Sequence, residues 1–315
     1  MIMTRRHEVG AIAAPPVRAF RQGDELAIHA VMLDVHARGE LDGMARDHLD
    51  AAAERLRHEP DGCAVAELDG RLAGWVIPGN DDLTVAPGFR RRGVGSCLVA
   101  AGRAIAGRQD RAELRLWVSA RPGPQAFARA AGLGYHSSLW RLRLDEDARP
   151  GDPVFPDGIA VRSLVAGRDE AAFVELINEV FLDHPSPLRV TVDDIHRAHA
   201  SAGFDPTTVV VATGAGDPDR MVGFCRVSTW AADDGTRVGE VRLVGVRREA
   251  RGIGLGRALT TWGVRRVRDA GVERVVLVVE GANAVAMRLY EGLGFRPEVE
   301  WPHWTIPVAG GTGPA

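Results

Sequence analysis

Val246-Arg247-Arg248-Glu249-Ala250-Arg251-Gly252-Ile253-Gly254-Leu255-Gly256 links a β-rich run, Glu240 to Val246, to a helical pattern in which Leu255, Leu259 and Trp262 recur at i, i+4 and i+7. The unit therefore reads strand, Arg-x-x-Gly-x-Gly, helix. Its glycines let a ligand approach the backbone, and the first helical turn carries N–H groups without partners inside the helix. With the helix dipole, those amides favour a phosphate or diphosphate, and nearby arginines add fixed positive charge. The same unit occurs earlier as Val85-Ala86-Pro87-Gly88-Phe89-Arg90-Arg91-Arg92-Gly93-Val94-Gly95. A dinucleotide fingerprint would close with a third glycine, but Arg257, Leu259 and Leu98 stand at the positions where it would fall. A surface turn with capping glycines is the plainer alternative, and the recurrence of the loop argues against it.

Further pairs extend the repeat in the same order. Val17-Arg18-Ala19-Phe20 resembles Val161-Arg162-Ser163-Leu164, and Leu72-Ala73-Gly74-Trp75 resembles Met221-Val222-Gly223-Phe224. Gly93 and Gly254 stand 161 residues apart, and Leu133-Gly134-Tyr135 precedes Leu293-Gly294-Phe295 by 160. The pattern implies a duplicated α+β domain, each copy a mixed, largely antiparallel sheet flanked by helices. The expected division is a tail over 1–15, a first domain over 16–145, a Pro-, Gly- and Asp-rich linker over 146–157, a second domain over 158–308 and a tail over 309–315. In the second copy the pattern predicts helices over Glu170–Phe181, Gly254–Asp269 and Asn283–Glu291. Strands are predicted over Thr208–Ala212, Val222–Thr229, Glu240–Val246 and Val275–Val279. The second copy is also longer before Gly254, which predicts an extended hairpin around Trp230 to Arg237, a flap facing the substrate.

Composition narrows the function. The 315 residues carry 45% hydrophobic and 26% charged side chains and a formal charge of −3, as a folded soluble protein does. No polybasic tail points to nucleic acid or an anionic membrane. All 39 basic residues are arginine, which excludes a lysine nucleophile, a Schiff base and a Walker A lysine. Cys63, Cys97 and Cys225 form no CxxC, so buried free thiols are expected and neither a disulfide framework nor a zinc site is. His196-x-x-His199 lacks the companions of a metal motif, and no metal is expected. No apolar run reaches membrane-spanning length and Met1 to Pro16 does not form a signal peptide, so a cytoplasmic protein is expected.

The glycine loops resemble the acyl-CoA binding motif of GNAT-superfamily N-acetyltransferases. Asn283-x-x-Ala286-x-x-Leu289-Tyr290-x-x-Leu293-Gly294-Phe295 is similar to that family's closing motif. The resemblance covers both copies. Tandem copies of this length are most similar to the mycothiol synthase group, as are His184-Pro185, Phe204-Asp205-Pro206 and Gly239-Glu240-Val241. The resemblance implies acetyl-CoA as co-substrate and the primary amine of a small polar metabolite as acceptor. It assigns the CoA site to Val244, Gly245, Val246, Arg251, Gly252, Ile253, Gly254, Leu255, Gly256, Arg257 and Asn283. In the first copy the equivalent residues are Arg90, Arg91, Arg92, Gly93, Val94 and Gly95.

Amine acetylation requires an ammonium of pKa ~10 to lose a proton before it attacks a thioester. By resemblance Glu240 is the general base, Tyr290 the general acid and the Val244 N–H the donor to the thioester oxygen. The bland readings are a solvated edge-strand glutamate and a tyrosine packed in the core. In the first copy the Glu240, Asn283 and Tyr290 positions hold Gly79, Gly123 and Ala130, so that copy is expected to be non-catalytic. Asp81 and Asp82 lie near by and are expected in a solvated turn.

Acceptor contacts are expected from Asn178 to Val190 and from Arg226, Arg242 and Val278. Ser186-Pro187-Leu188-Arg189-Val190 departs from the mycothiol synthase pattern after its His-Pro, and the basic and aromatic residues that group shows on the hairpin strand and at position 278 are missing. The reaction class carries over and the acceptor stays open. The mycothiol synthase reaction and a non-catalytic acyl-CoA-binding module remain the rivals. Neither nucleic acid nor membrane is expected as a partner, and a monomer or weak dimer is.

Overall fold

A computed structural model of the chain describes residues 15–40, 62–182, 189–200, 205–214 and 216–308. Contacts gather these into two compact units, one running to His136 and resuming at Trp301, the other spanning Ser137–Glu300. The expected tails, apart from Pro15, and the His184-Pro185 and Ser186–Leu188 positions lie outside the described residues, as does Phe204.

The first unit contains β1 (Val17–Ala19), α1 (Asp24–Ala37), β2 (Ala64–Leu68), β3 (Arg71–Ile77), β4 (Asp82–Val85), α2 (Val94–Arg108), β5 (Glu113–Trp117) and α3 (Pro122–Ala130). β1 to β4 form an antiparallel sheet in chain order. β5 pairs antiparallel with the end of the last strand, Trp117 opposite His303 and Glu113 opposite Pro307. Leu98, Leu114, Leu116, Leu133, Trp304 and Ile306 fill its core.

The second unit contains β7 (Ile159–Ser163), α4 (Glu170–Val180), α5 (Val192–Ala200), β8 (Val209–Gly214), β9 (Asp217–Ala231) and β10 (Arg237–Val246). α6 (Leu255–Asp269), β11 (Arg274–Glu280) and α7 (Ala284–Glu291) follow. Its strands run in the order β6 (Gly134–Leu144), β11, β10, β9, β8, β7. Every pair is antiparallel except β10–β11. Val241, Cys225, Leu259 and Val267 pack on the α6 side, whereas Phe173, Leu176, Phe224 and Leu243 pack on the α4 and α5 side.

β6 (Gly134–Leu144) and β12 (Phe295–Pro307) each change unit along their length. Composition marks a break at 146–157, but that segment belongs to the second unit, where Ala148 and Phe155 pack on the core and Arg268 donates to the Ala148 carbonyl at 2.9 Å. Strand pairing decides membership, and a Pro- and Gly-rich stretch reports only where regular structure stops.

The repeat has a packing origin. Gly74 faces Val85 across β3–β4, and Gly223 faces Val246 across β9–β10. A Cβ at Gly74 would fall 2.4 Å from the Thr84 carbonyl oxygen and 3.0 Å from Leu98, and one at Gly223 would fall 3.1 Å from Leu259. Glycine is needed where the helix after the loop crosses the hairpin. The helices obey their predicted limits to within a residue, whereas β9 begins at Asp217, five residues before the predicted start. Gly74→Ala is therefore expected to lower first-unit stability by about 1–3 kcal/mol in urea titration, with Gly79→Ala, which meets only open space, within about 0.5 kcal/mol of wild type. Equal effects would refute the packing account.

Candidate active site

β10 is where the second sheet opens. Its parallel ladder with β11 runs from Val238–Arg274 to Val241–Leu277 and ends there. The antiparallel ladder with β9 continues to Val246, with a register shift between Val241 and Leu243 that leaves Arg242 in a bulge. Bulges bend a strand and re-aim its side chains. Beyond the bulge, Arg247 N–H donates to Val222 O at 2.8 Å, which fixes the alternation of the ladder. Leu243 and Gly245 therefore turn their backbone groups to β9, and Val244 and Val246 turn theirs to the side that β11 has left. The Val244 backbone groups and the Val246 N–H thus face the side where a ligand could pair.

Arg251 Nε donates to Val246 O at 3.0 Å, fastening the loop to the strand end. Arg247, nearly buried, donates through Nε to Met221 O at 2.8 Å and through Nη2 to Glu175 at 2.9 Å, and it also pairs with Glu179. These bonds immobilise the approach to the glycines. Gly252 (φ 81°) and Gly254 (φ 92°) have left-handed backbones that suit glycine, and Gly254 is the N-cap residue of α6. Among the described residues, the backbone N–H groups of Gly252, Ile253, Gly254, Leu255, Gly256 and Arg257 have no hydrogen-bond acceptor. Ile253 is exposed and Leu255 anchors the helix in the core. A Cβ at Gly256 would meet only Leu289 at 3.6 Å and Val246 at 3.8 Å, ordinary contact distances. Arg257 donates to Gly292 O at 3.3 Å, bracing α6 against the end of α7. The donor set suits a diphosphate.

Glu240 sits opposite Ser228 on β9 and beside Val276 on β11. Ser228 Oγ donates to its Oε2 at 3.3 Å, and Arg242 Nη1 donates to the same oxygen at 3.2 Å. The side chain is 13% exposed, and Oε1 has no hydrogen-bond partner among the described residues. Gly239 and Val241 face α6, so Glu240 points to the α4 and α5 side.

Tyr290 lies on α7 and packs on the core cluster that holds Val244, Val246 and Leu289, its ring 6.1 Å from that of Phe295. Burial, and secondarily Cys225, pushes the phenol up to about 12. Cys225 pairs with Val244, so the phenol belongs to the α6 side of the strand opening. Glu240 and Tyr290 thus border the opening from opposite faces. Asn283 caps α7, its Oδ1 accepting from Ala286 N–H at 3.1 Å, which leaves its amide NH₂ available.

Some expectations change. Asn178 spends both ends of its amide on Val190, accepting from the backbone N–H and donating to the carbonyl, each at 2.9 Å. It therefore shapes the α4–α5 connection instead of offering its amide to an acceptor. The predicted hairpin extension is present: β9 and β10 have 15 and 10 residues, β3 and β4 only 7 and 4. Ser228 could not be singled out from sequence, because its link to Glu240 depends on cross-strand register.

The first unit has a similar loop in a different setting. Arg90 Nε donates to Val85 O at 3.3 Å, as Arg251 does to Val246, but its other end pairs with Glu40. Arg92 pairs with Asp69 at 3.0 Å and lies over the Phe89 ring. Arg91 has φ 62° and Gly93, the N-cap residue of α2, φ 83°. Val94 is buried, and a Cβ at Gly95 would sit 2.7 Å from the Phe127 ring. Gly79 falls in a 3-10 turn before β4, so no strand carries a side chain to the Glu240 position. Asp81 and Asp82 do not form the expected solvated turn. Asp82 accepts from Trp75 Nε1 at 2.6 Å and Asp81 from Arg115 Nε at 2.7 Å, and burial pushes both carboxyls upward. They serve as structural ties.

All three cysteines are free. Burial pushes the Cys63 thiol up to about 12 and the Cys225 thiol upward as well. Among the described residues no group of three His, Cys, Asp or Glu could hold a metal ion, and no helix is long and apolar enough to cross a membrane.

The model of the Acetyltransferase (GNAT) family matches the chain twice, over residues 21–135 and 173–295. The mycothiol acetyltransferase of Thermobispora bispora is 37% identical over 298 residues, covering 91% of this chain and 95% of its own. That of Kineococcus radiotolerans is 39% identical over 261 residues, covering 78% and 79%. Among solved structures, a GCN5-related N-acetyltransferase from Sphaerobacter thermophilus has a TM-score of 0.67 at 24% identity, covering 95% of this chain and 97% of the other. A tandem GNAT protein from the clavulanic acid biosynthesis pathway has a TM-score of 0.67 at 22% identity, covering 95% and 100%. Each family match includes a glycine loop and the Leu-Gly-aromatic motif after it, and the chain belongs to the GNAT acetyltransferase family as a tandem member and an acyltransferase.

Proposed function

We propose that the protein is an acetyl-CoA-dependent N-acetyltransferase of small polar amines, with its chemistry confined to the second unit. One observation carries this reading: among the described residues, only there does a carboxylate with an oxygen lacking a hydrogen-bond partner stand on the strand that opens beside a glycine loop with unpaired amides. Acetyl-CoA, when bound, supplies an activated acyl group as a thioester. The amides from Gly252 to Arg257 hold its diphosphate, with Arg251, Arg257 and the Asn283 amide close by, and Val244 to Val246 pair with its arm.

Glu240 Oε1 takes the ammonium proton, directly or through a water, while Ser228 and Arg242 hold Oε2. The amine nitrogen then attacks the acyl carbon, and the C–N bond forms as the C–S bond breaks. Val244 N–H donates to the carbonyl oxygen as negative charge develops. The Tyr290 hydroxyl donates its proton to the departing sulfur, and the second proton that the nitrogen sheds as the amide forms returns through solvent to the phenolate. The hydroxyl's raised pKa of about 12 keeps it protonated at neutral pH. The first unit keeps anion-binding groups in Arg90, Arg91, Arg92, Gly93, Val94 and Gly95 and lacks proton-transfer groups, so it holds CoA without turnover or serves as scaffold. The mycothiol acetyltransferase reaction itself is a second reading, favoured by the identity to relatives bearing that name. Arg226 and Ser228 on the hairpin strand, with Val278, argue for a different acceptor. No membrane or nucleic acid enters the mechanism, and a monomer or weak dimer suffices for it.

With a panel of amines and thiol release as readout, Glu240→Gln should lower kcat by about 10²–10⁴-fold and leave acetyl-CoA affinity within a factor of about two. Unchanged turnover in that variant would remove the assigned base and favour a binding module. Tyr290→Phe should lower kcat on the order of 10²-fold. Because burial pushes the phenol up to about 12, the wild-type kcat profile should show no alkaline fall below about pH 11; a limb near pH 9 that vanishes in Tyr290→Phe would keep Tyr290 as the acid and refute its raised pKa, whereas a limb unchanged in Tyr290→Phe would belong to another group.

A further inference from the structure

Arg226 stands on β9 opposite Leu243, two residues from Ser228 and on the same face as Glu240. It is half-buried, and burial together with Arg242 pushes its guanidinium pKa downward, which Glu240 only partly offsets. Among the described residues it donates no hydrogen bond and has no carboxylate within 4.0 Å. The acid whose charge reaches it, Glu240, already receives Arg242 at 3.2 Å. Around Glu240 two guanidinium groups thus face one carboxylate, a surplus of one positive charge. A guanidinium stays charged in proteins, and leaving it desolvated without a partner is costly. Its planar fork matches a carboxylate or phosphate with two parallel bonds.

We infer that Arg226 is a specificity residue that receives an anionic group on the acceptor, so that the preferred substrates are amines bearing a carboxylate or phosphate near the reacting nitrogen. This rests on the proposed acceptor site beside Glu240. The surplus charge has a second effect, since cationic neighbours disfavour an ammonium and so ease the proton transfer that precedes attack.

The test uses matched acceptors: an α-amino acid against its carboxamide, and an aminosugar phosphate against the free aminosugar. Wild type should favour the anionic member by at least 10-fold in kcat/KM. The carboxylate and phosphate pairs together show which anion is preferred. Arg226→Met should collapse that preference toward unity, and Arg226→Lys, which keeps the charge without the fork, should retain part of it. Acetyl-CoA affinity checks that each variant is folded. Binding of the same pairs to Glu240→Gln by calorimetry gives a readout independent of turnover. Equal rates and equal binding for charged and neutral acceptors in wild type, or a preference that survives Arg226→Met, would overturn the inference and leave the acetyltransferase reading standing. If no amine is acetylated, the reading of function fails, and calorimetry still decides whether Arg226 selects an anion.

Discussion

The parting of β10 from β11 beyond Val241 and Leu277 is the constraint on which the second unit's chemistry depends. A strand inside a sheet has both edges satisfied by neighbours, and an unpaired buried edge costs stability. Here the Arg242 bulge turns the strand while β9 continues to hold it from the other side. The backbone groups of Val244 and Val246 are left without a strand partner, and an extended ligand can take the place of the absent strand. The glycine loop begins where this edge ends, so anion-binding amides and strand amides form one continuous donor line. Arginine contributes structure before it contributes charge, because Arg251 fastens the loop to Val246 and Arg247 fastens it to α4.

Under the proposed function, one frame carries chemistry in the second copy and not in the first. Both keep the glycine under the crossing helix, the left-handed N-cap glycine and the arginine that folds back on the strand carbonyl. They differ where a side chain must enter the opening. β4 starts at Asp82, too late to present a residue at the Glu240 position, and the Phe127 ring lies against Gly95. The acids near by are drawn into Trp75 and Arg115. Anion binding needs mostly backbone and survives such drift. Proton transfer needs particular side chains at a particular register and does not.

In the proposed function, the electrostatics around Glu240 set both reaction and selection. Ser228 and Arg242 fix one carboxylate oxygen and leave the other for a proton. Among the described residues Arg226 has no carboxylate within 4.0 Å, so the proposed acceptor site is cationic before any substrate enters. A cleft of that kind repels an ammonium and attracts an acid, and a substrate that carries both is held by one end and activated at the other.

The duplication, the α+β class, the glycine loops and the family were legible in the sequence, because each rests on local pattern: periodicity, an Arg-x-x-Gly-x-Gly spacing and a recurring Leu-Gly-aromatic. Glu240 and Tyr290 entered as candidates through motif resemblance and stand as proposals. What stayed hidden depends on pairs far apart in the chain. Ser228 meets Glu240 only through the β9–β10 register, and Arg226 reads as one arginine among 39 until Glu240 beside it is seen to be taken by Arg242. Composition marked 146–157 as a break, while strand pairing divides the units inside β6 and β12. By itself the sequence determined which backbone conformations and which family of chemistry this protein could adopt, since those follow from residue type and spacing. Only the tertiary structure decided which charges are neutralised and which edge of a strand is left open, because both are set by contacts that no local pattern encodes.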